Sequence, residues 1–186
     1  MQNDIYYKYR SLENFERFID ILVNERFYAA SYKDLNDIME GLYIDLGLKP
    51  EVSREIKSSK ENYKICSFSK INNDSLLWAH YADGCKGVCI GCKITDLNVS
   101  IGNVEYKGLA VIENCFQTNI TAIEILLHKE ETWKYEKEVR VLTNNGEKYV
   151  KVKIKEIIFG KRITPERKKL IKDICKKILP DVKFKG

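Results

Sequence analysis

Hydrophobic positions along this chain switch repeatedly between a two-residue and a 3.6-residue period. The sequence therefore predicts short strands with short helices set between them. Ile5–Arg10 alternates as a strand, with Tyr6, Lys8 and Arg10 on one face and Tyr7 and Tyr9 on the other. Leu12, Phe15, Phe18, Ile19, Leu22 and Val23 then keep helical spacing behind Ser11, a residue able to cap them. Arg26–Ala30 reads as a strand and Asp34–Asp37 as a turn. Ile38–Leu46 is weakly helical, and Val52–Asn62 suits a helix starting at Pro50. With its low apolar content, 38–62 is expected to be a helical insertion or lid.

Strand character returns at Tyr63–Ser69, followed by an apolar helical run, Ser75–Ala82, and a glycine-bearing strand, Gly87–Cys92. Val99–Tyr106 and Gly108–Ile112 read as strands around a turn, and Ile120–His128 as a helix. Glu136–Thr143 is the next expected strand. Asn144-Asn145-Gly146 signals a hairpin, with Tyr149–Phe159 as its returning arm. Thr164-Pro165 opens the last helix, whose apolar stripe is Leu170, Ile171, Ile174, Ile178 and Leu179; Val182–Lys185 is an edge strand. The pattern predicts an α+β fold: a compact, mostly antiparallel, split sheet with inserted helices, forming one domain over residues 1–186.

Composition narrows the setting. With 186 residues, 32% charged and 44% hydrophobic, the chain can bury a core without disulfides or metal. It has no apolar run long enough to span a bilayer and no secretory h-region, so the expected address is cytoplasmic, with no membrane partner. The six cysteines are then reduced thiols. Cys89-Ile-Gly-Cys92 resembles half a metal or redox motif. On a strand, however, positions three apart face opposite ways, and no second pair completes a zinc site, so no metal is expected. Residues 148–186 hold 14 Lys/Arg against 4 Asp/Glu, whereas residues 1–147 hold 18 against 23. The basic end, 164–186 above all, is either a solvated helix or a face for nucleic acid or an acidic partner.

Candidate chemistry falls on two stretches. In Lys129–Leu142, Glu136 and Glu138 share a strand face about 7 Å apart, with Arg140 continuing it. Two such carboxylates can divide labour: one stabilises a developing positive charge, the other orients or deprotonates an attacking group. The alternative is a solvated face of cross-strand charge pairs. In Cys66–Cys92, Ser67 and Ser69 share a face that could line a pocket. His80 could act as acid, base or ligand holder, and Tyr81 could stack on a base. Each also has a plain structural reading. Lys129, at a helix end, is either a dipole partner or a phosphate contact.

The blocks YYKYR (6–10), LNDIMEG (35–41), CSFS (66–69), LLWAHYADGCKGVCIG (76–91) and Lys129 with WKYEKEVRV (133–141) resemble a family of uncharacterised bacterial and phage domains. Some of its members belong to abortive-infection (AbiG-type) phage-defence loci. More loosely, Arg10, then Ser67-Phe68-Ser69, then Glu136-Lys137-Glu138 resemble the ordered marks of mono-ADP-ribosyltransferases. That resemblance implies an ADP-ribosyltransferase-like fold with NAD as substrate. It places Arg10, or Tyr9 or Lys8 in its stead, on an NAD phosphate or ribose, and Ser67 at the nicotinamide. It makes Glu138 the stabiliser of an oxocarbenium-like transition state and Glu136 the group that orients the acceptor. These resemblances imply an NAD-consuming enzyme in phage–host conflict, an ADP-ribosyltransferase or NAD glycohydrolase. A non-catalytic nucleotide- or partner-binding module and a metal-independent nuclease using His80 and Glu138 are the alternatives.

Overall fold

A computed structural model of the chain describes residues 4–115, 117–144 and 146–186. In chain order the elements are β1 (Tyr6–Arg10), α1 (Phe15–Asn24), β2 (Arg26–Tyr28), β3 (Tyr43–Asp45), α2 (Pro50–Asn62), β4 (Lys64–Ser69), α3 (Ser75–Tyr81), β5 (Val88–Ile94), β6 (Ser100–Asn103), β7 (Ala110–Ile112), α4 (Thr118–Leu126), β8 (Glu138–Thr143), β9 (Tyr149–Phe159), α5 (Pro165–Ile178) and β10 (Lys183–Lys185). Single 3-10 turns occupy Tyr32–Asp34 and Glu131–Glu136. The expected α+β class with mostly antiparallel strands is what the chain forms. Among the described residues, no helix is long and apolar enough to cross a membrane. The contacts group into two units, each drawn from separate stretches of chain.

The first unit comprises Met1–Phe27, Phe68–Leu97 and Val150–Gly186. Here β1 lies antiparallel between β5 and the end of β4, with Tyr7 opposite both Gly91 and Ser69. β5 is antiparallel to β9, and β9 is parallel to β10. Phe18, Ile21 and Leu22 of α1, Ile171 and Cys175 of α5, and Ile90, Val152, Ile154 and Ile157 of the strands are buried. Asn14, not Ser11, caps α1: its side chain accepts the Arg17 N–H, and the helix begins three residues later than Leu12. The β5–β9 register shifts between Gly91↔Glu156 and Cys92↔Ile154, so the extra residue, Lys155, sits on β9. β5 itself stays regular. Cys89 is opposite Tyr9 and Cys92 opposite Tyr6, which puts the two thiols on opposite faces. Burial pushes the Cys89 thiol far above its ordinary range, so it is not a reactive thiolate.

The second unit comprises Tyr28–Ser67 and Asn98–Tyr149. In it β8 lies between β4 and β6, with Gly102 opposite Arg140 in the antiparallel β6–β8 pair. β3 and β7 form a separate parallel pair. One apolar cluster joins Tyr32, Tyr63, Ile65, Ala122, Leu126 and Leu142. Another joins Ile56, Ala110, Ile112 and Ile125, where α2 packs on α4.

Three expectations about this unit are corrected. Ile38–Leu46 is not helical. It forms turns and β3, because Leu42, Ile44 and Leu46 alternate with inward Tyr43 against β7. Glu136–Thr143 is not one strand, since Lys137 adopts φ +44° and ends the 3-10 turn before β8 begins. The β8–β9 hairpin does not form, because β8 is flanked by β4 and β6 while β9 pairs with β5 and β10. Asn145 of the expected turn lies outside the described residues.

Candidate functional site

β8 is buried along its whole length, so its charged side chains, Glu138 and Arg140, must be paired within the protein. Arg140 is 0% exposed. All five of its N–H donors find acceptors. Nε donates to Glu138 Oε1 at 3.0 Å, and Nη2 to Glu138 Oε2 at 3.3 Å and to Glu40 Oε1. Nη1 donates to Glu40 Oε2 at 2.7 Å and to the Leu126 carbonyl. That carbonyl ends α4, so the guanidinium also meets the negative end of a helix. A planar fork with every donor used is the geometry that makes a buried arginine tolerable.

Lys129 approaches the same carboxylates from the other side. Its backbone N–H donates to the Glu105 carbonyl at 3.0 Å, and its carbonyl accepts the Gly108 N–H at 3.1 Å. The ammonium lies 2.6 Å from Glu136, 3.1 Å from Glu138 and 3.8 Å from Glu40, with the Trp133 ring centroid at 4.7 Å. Its side chain is only 8% exposed. The left-handed turn at Lys137 explains how Glu136, off the strand, still reaches the ammonium that Glu138 binds. Tyr106 closes the base: its hydroxyl accepts the Glu138 backbone N–H at 2.6 Å, and burial lifts the phenol to about 12.

The cluster holds three carboxylates, Glu40, Glu136 and Glu138, against two cations, Lys129 and Arg140. Competition decides who carries the charge. For Glu138, burial opposes ionisation, but the charges of Arg140 and Lys129, with bonds from Arg140 and Ser67, bring it down to about 2. For Glu40, burial outweighs the Arg140 pairing, and the neighbouring Glu138 charge adds to it, so its carboxyl is raised. Burial alone would lower Lys129; the charges of Glu138 and Glu136 outweigh it and hold the ammonium raised. Glu138 is therefore a fixed anion at neutral pH, unsuited to proton transfer and suited to facing positive charge.

The depressed Glu138 has a measurable consequence. Its folded value lies below the ordinary ~4.3 of a free glutamate. Its stabilisation is thus complete above that range and is lost as pH falls toward 2. The loss is about 3 kcal/mol by linkage. Thermal melts between pH 5 and pH 2 should show this extra loss in the wild type and not in Glu138→Gln. Parallel acid limbs in the two proteins would contradict it.

Of the residues singled out from the sequence, the fold brings together Glu136, Glu138 and Ser67, with Lys129 at their centre and Ser67 bonded to the Glu138 carboxylate. Arg10, Tyr9, Ser69, His80 and Tyr81 belong to the first unit. There the Arg10 guanidinium lies 5.8 Å from the Phe27 ring centroid. The Tyr9 hydroxyl donates to the Ile71 carbonyl at 3.1 Å, and Ser69 Oγ accepts the Ile71 N–H at 3.1 Å, so both brace the turn that follows β4. His80 is exposed on α3, its ring 6.3 Å from that of Tyr81.

Two members, Glu40 and Tyr106, carry no periodic signal that marks them. The one local cue for Glu40 is the glycine after it. Gly41 has φ +72°, and a Cβ there would fall 2.6 Å from Cδ2 of Tyr32, so the turn that presents Glu40 needs glycine. Gly41→Ala is expected to cost about 1–3 kcal/mol, from strain and overpacking together. A urea midpoint equal to that of the wild type would show that the turn is not so constrained. No protein-family model, curated protein or solved structure matches this chain.

Proposed function

We propose that the second unit houses the reactive centre of an NAD-consuming enzyme, an ADP-ribosyltransferase or NAD glycohydrolase. The observation that carries the reading is the state of Glu138: buried, ionised and held from three sides by Arg140, Lys129 and Ser67. Cleavage of the nicotinamide–ribose bond leaves the electron pair on nicotinamide and a positive charge on the ribose ring. A carboxylate that cannot take up a proton near neutrality is the group that stabilises such a charge. Lys129 supports this reading, because its ammonium already lies where the carboxylates and the Trp133 face favour a cation. Glu136 is the partner carboxylate, receiving the proton that water or an acceptor hydroxyl loses as it attacks the ribose carbon. Water as acceptor gives nicotinamide, ADP-ribose and one proton.

The test is nicotinamide release from NAD by the purified protein, with lysate added to supply an acceptor. Release that disappears in Glu138→Gln is the expected result. A well-folded wild type that releases none, and labels nothing from labelled NAD, contradicts the reading.

A second reading, a binding module without turnover, is favoured by one observation: Lys129 and the three carboxylates pair closely with one another. It expects a rise in melting temperature with nucleotide and no product.

A further inference from the structure

Glu40 reaches the centre of the cluster from a turn far upstream of β8, and nothing in the proposed chemistry requires it. We infer that Glu40 is a positioning residue for Glu138, acting through the Arg140 guanidinium they share and held by a clasp of Gly41 and Lys60. The turnover part of this inference rests on the NAD reading, while the geometric part stands without it.

The guanidinium is rigid and planar, so fixing one end of its fork fixes the direction of the other. Glu40 takes the Nη1 and Nη2 end with both of its oxygens, while Nε and the remaining Nη2 donor hold Glu138. Without Glu40, the fork keeps only the Leu126 carbonyl at that end. It is then free to turn and chelate Glu138 squarely, drawing that carboxylate away from Lys129 and Ser67.

The turn carrying Glu40 is itself anchored. The Lys60 ammonium donates to the Gly41 carbonyl at 2.6 Å and lies 4.8 Å and 5.4 Å from the Tyr43 and Tyr32 ring centroids. Lys60 is buried, and among the described residues it has no carboxylate in ion-pair range. Committing a buried lysine to one backbone carbonyl is unfavourable in itself. Its place here is explained by what the carbonyl fixes: the residue next to Glu40.

Charge balance separates this role from plain support of the fold. Glu40 is the third carboxylate facing two cations. Glu40→Gln leaves two against two, so the variant is expected to fold, with a melting temperature within a few degrees of the wild type. Gln can accept from one Nη but its amide opposes the other, so the fork loses its two-point hold.

Three readouts test the inference. Nicotinamide release should show kcat lowered about 10- to 100-fold in Glu40→Gln with KM nearly unchanged, as expected when a reacting group is misplaced by about 1 Å. Glu40→Asp, which keeps the two-point hold, should recover part of the loss. Lys60→Met, which releases the clasp without leaving a charge, should lower kcat in the same direction. Independently of turnover, Lys129 should be modified several-fold faster by an amine-reactive reagent in Glu40→Gln than in the wild type, since Glu138 no longer shields it. A wild type without turnover but with this change in Lys129 reactivity ends the NAD reading and supports the inference. A folded Glu40→Gln protein with wild-type kcat and wild-type Lys129 reactivity overturns it, as does a loss of kcat that only follows the folded fraction.

Discussion

Replacing Arg140 by methionine should lower the stability of the second unit by about 3–5 kcal/mol, the range for breaking a buried ion pair from one side. The guanidinium is wholly buried and serves two carboxylates and the last carbonyl of α4. Methionine fills much of its volume but leaves Glu40 and Glu138 facing each other with only Lys129 to share. The paired change Arg140→Met with Glu40→Leu should recover much of the loss, because it removes one uncompensated charge and keeps Glu138 on Lys129. Urea unfolding followed by Trp133 fluorescence, in a Trp78→Phe background, reports from within this unit. If Arg140→Met costs less than about 1 kcal/mol, the value of an exposed pair, the buried network is not formed.

Glu138→Gln is expected to reduce nicotinamide release by 10²–10³-fold, equivalent to about 3–4 kcal/mol, the effect of removing one fixed electrostatic group from a transition state. The loss should appear in kcat, because NAD in its ground state carries no full positive charge on the ribose for Glu138 to meet. The fold should tolerate the change. Arg140 keeps Glu40, Lys129 keeps Glu136, and two cations face two carboxylates. Steady-state kinetics on the variant check this. Equal kcat in the two proteins would move any chemistry elsewhere.

How much of this was legible in the sequence depended on whether the cue was local. Pro50 and Thr164-Pro165 mark helix starts by chain chemistry alone, and α2 and α5 begin there. The alternation through Glu138, Arg140 and Leu142 likewise places Glu138 and Arg140 on one face of β8. Lys137 hid the break before β8, because a lysine at φ +44° has no sequence signature as glycine has. The Asn-Gly signal after β8 misled for a tertiary reason: both sides of β8 and of β9 are taken by other strands, so their proximity in the chain does not become a pair. Glu40 was invisible for the deepest reason. It stands in the LNDIMEG block, but its partner is Arg140, and only the closed fold joins two residues so far apart in the chain. Burial, too, is a property of the assembled unit. The sequence offered a solvated strand face as the alternative for Glu136 and Glu138, and both are buried.

Glu138 remains an anion inside the protein because Arg140 and Lys129 hold it so. A pH titration of the side-chain carboxyl carbon by NMR, assigned by its loss in Glu138→Gln, tests this with no assumption about substrate. The Glu138 signal should stay at its ionised position as pH falls from neutrality and move only toward pH 2. A signal that titrates near 4.3, the value of a free glutamate, would contradict it.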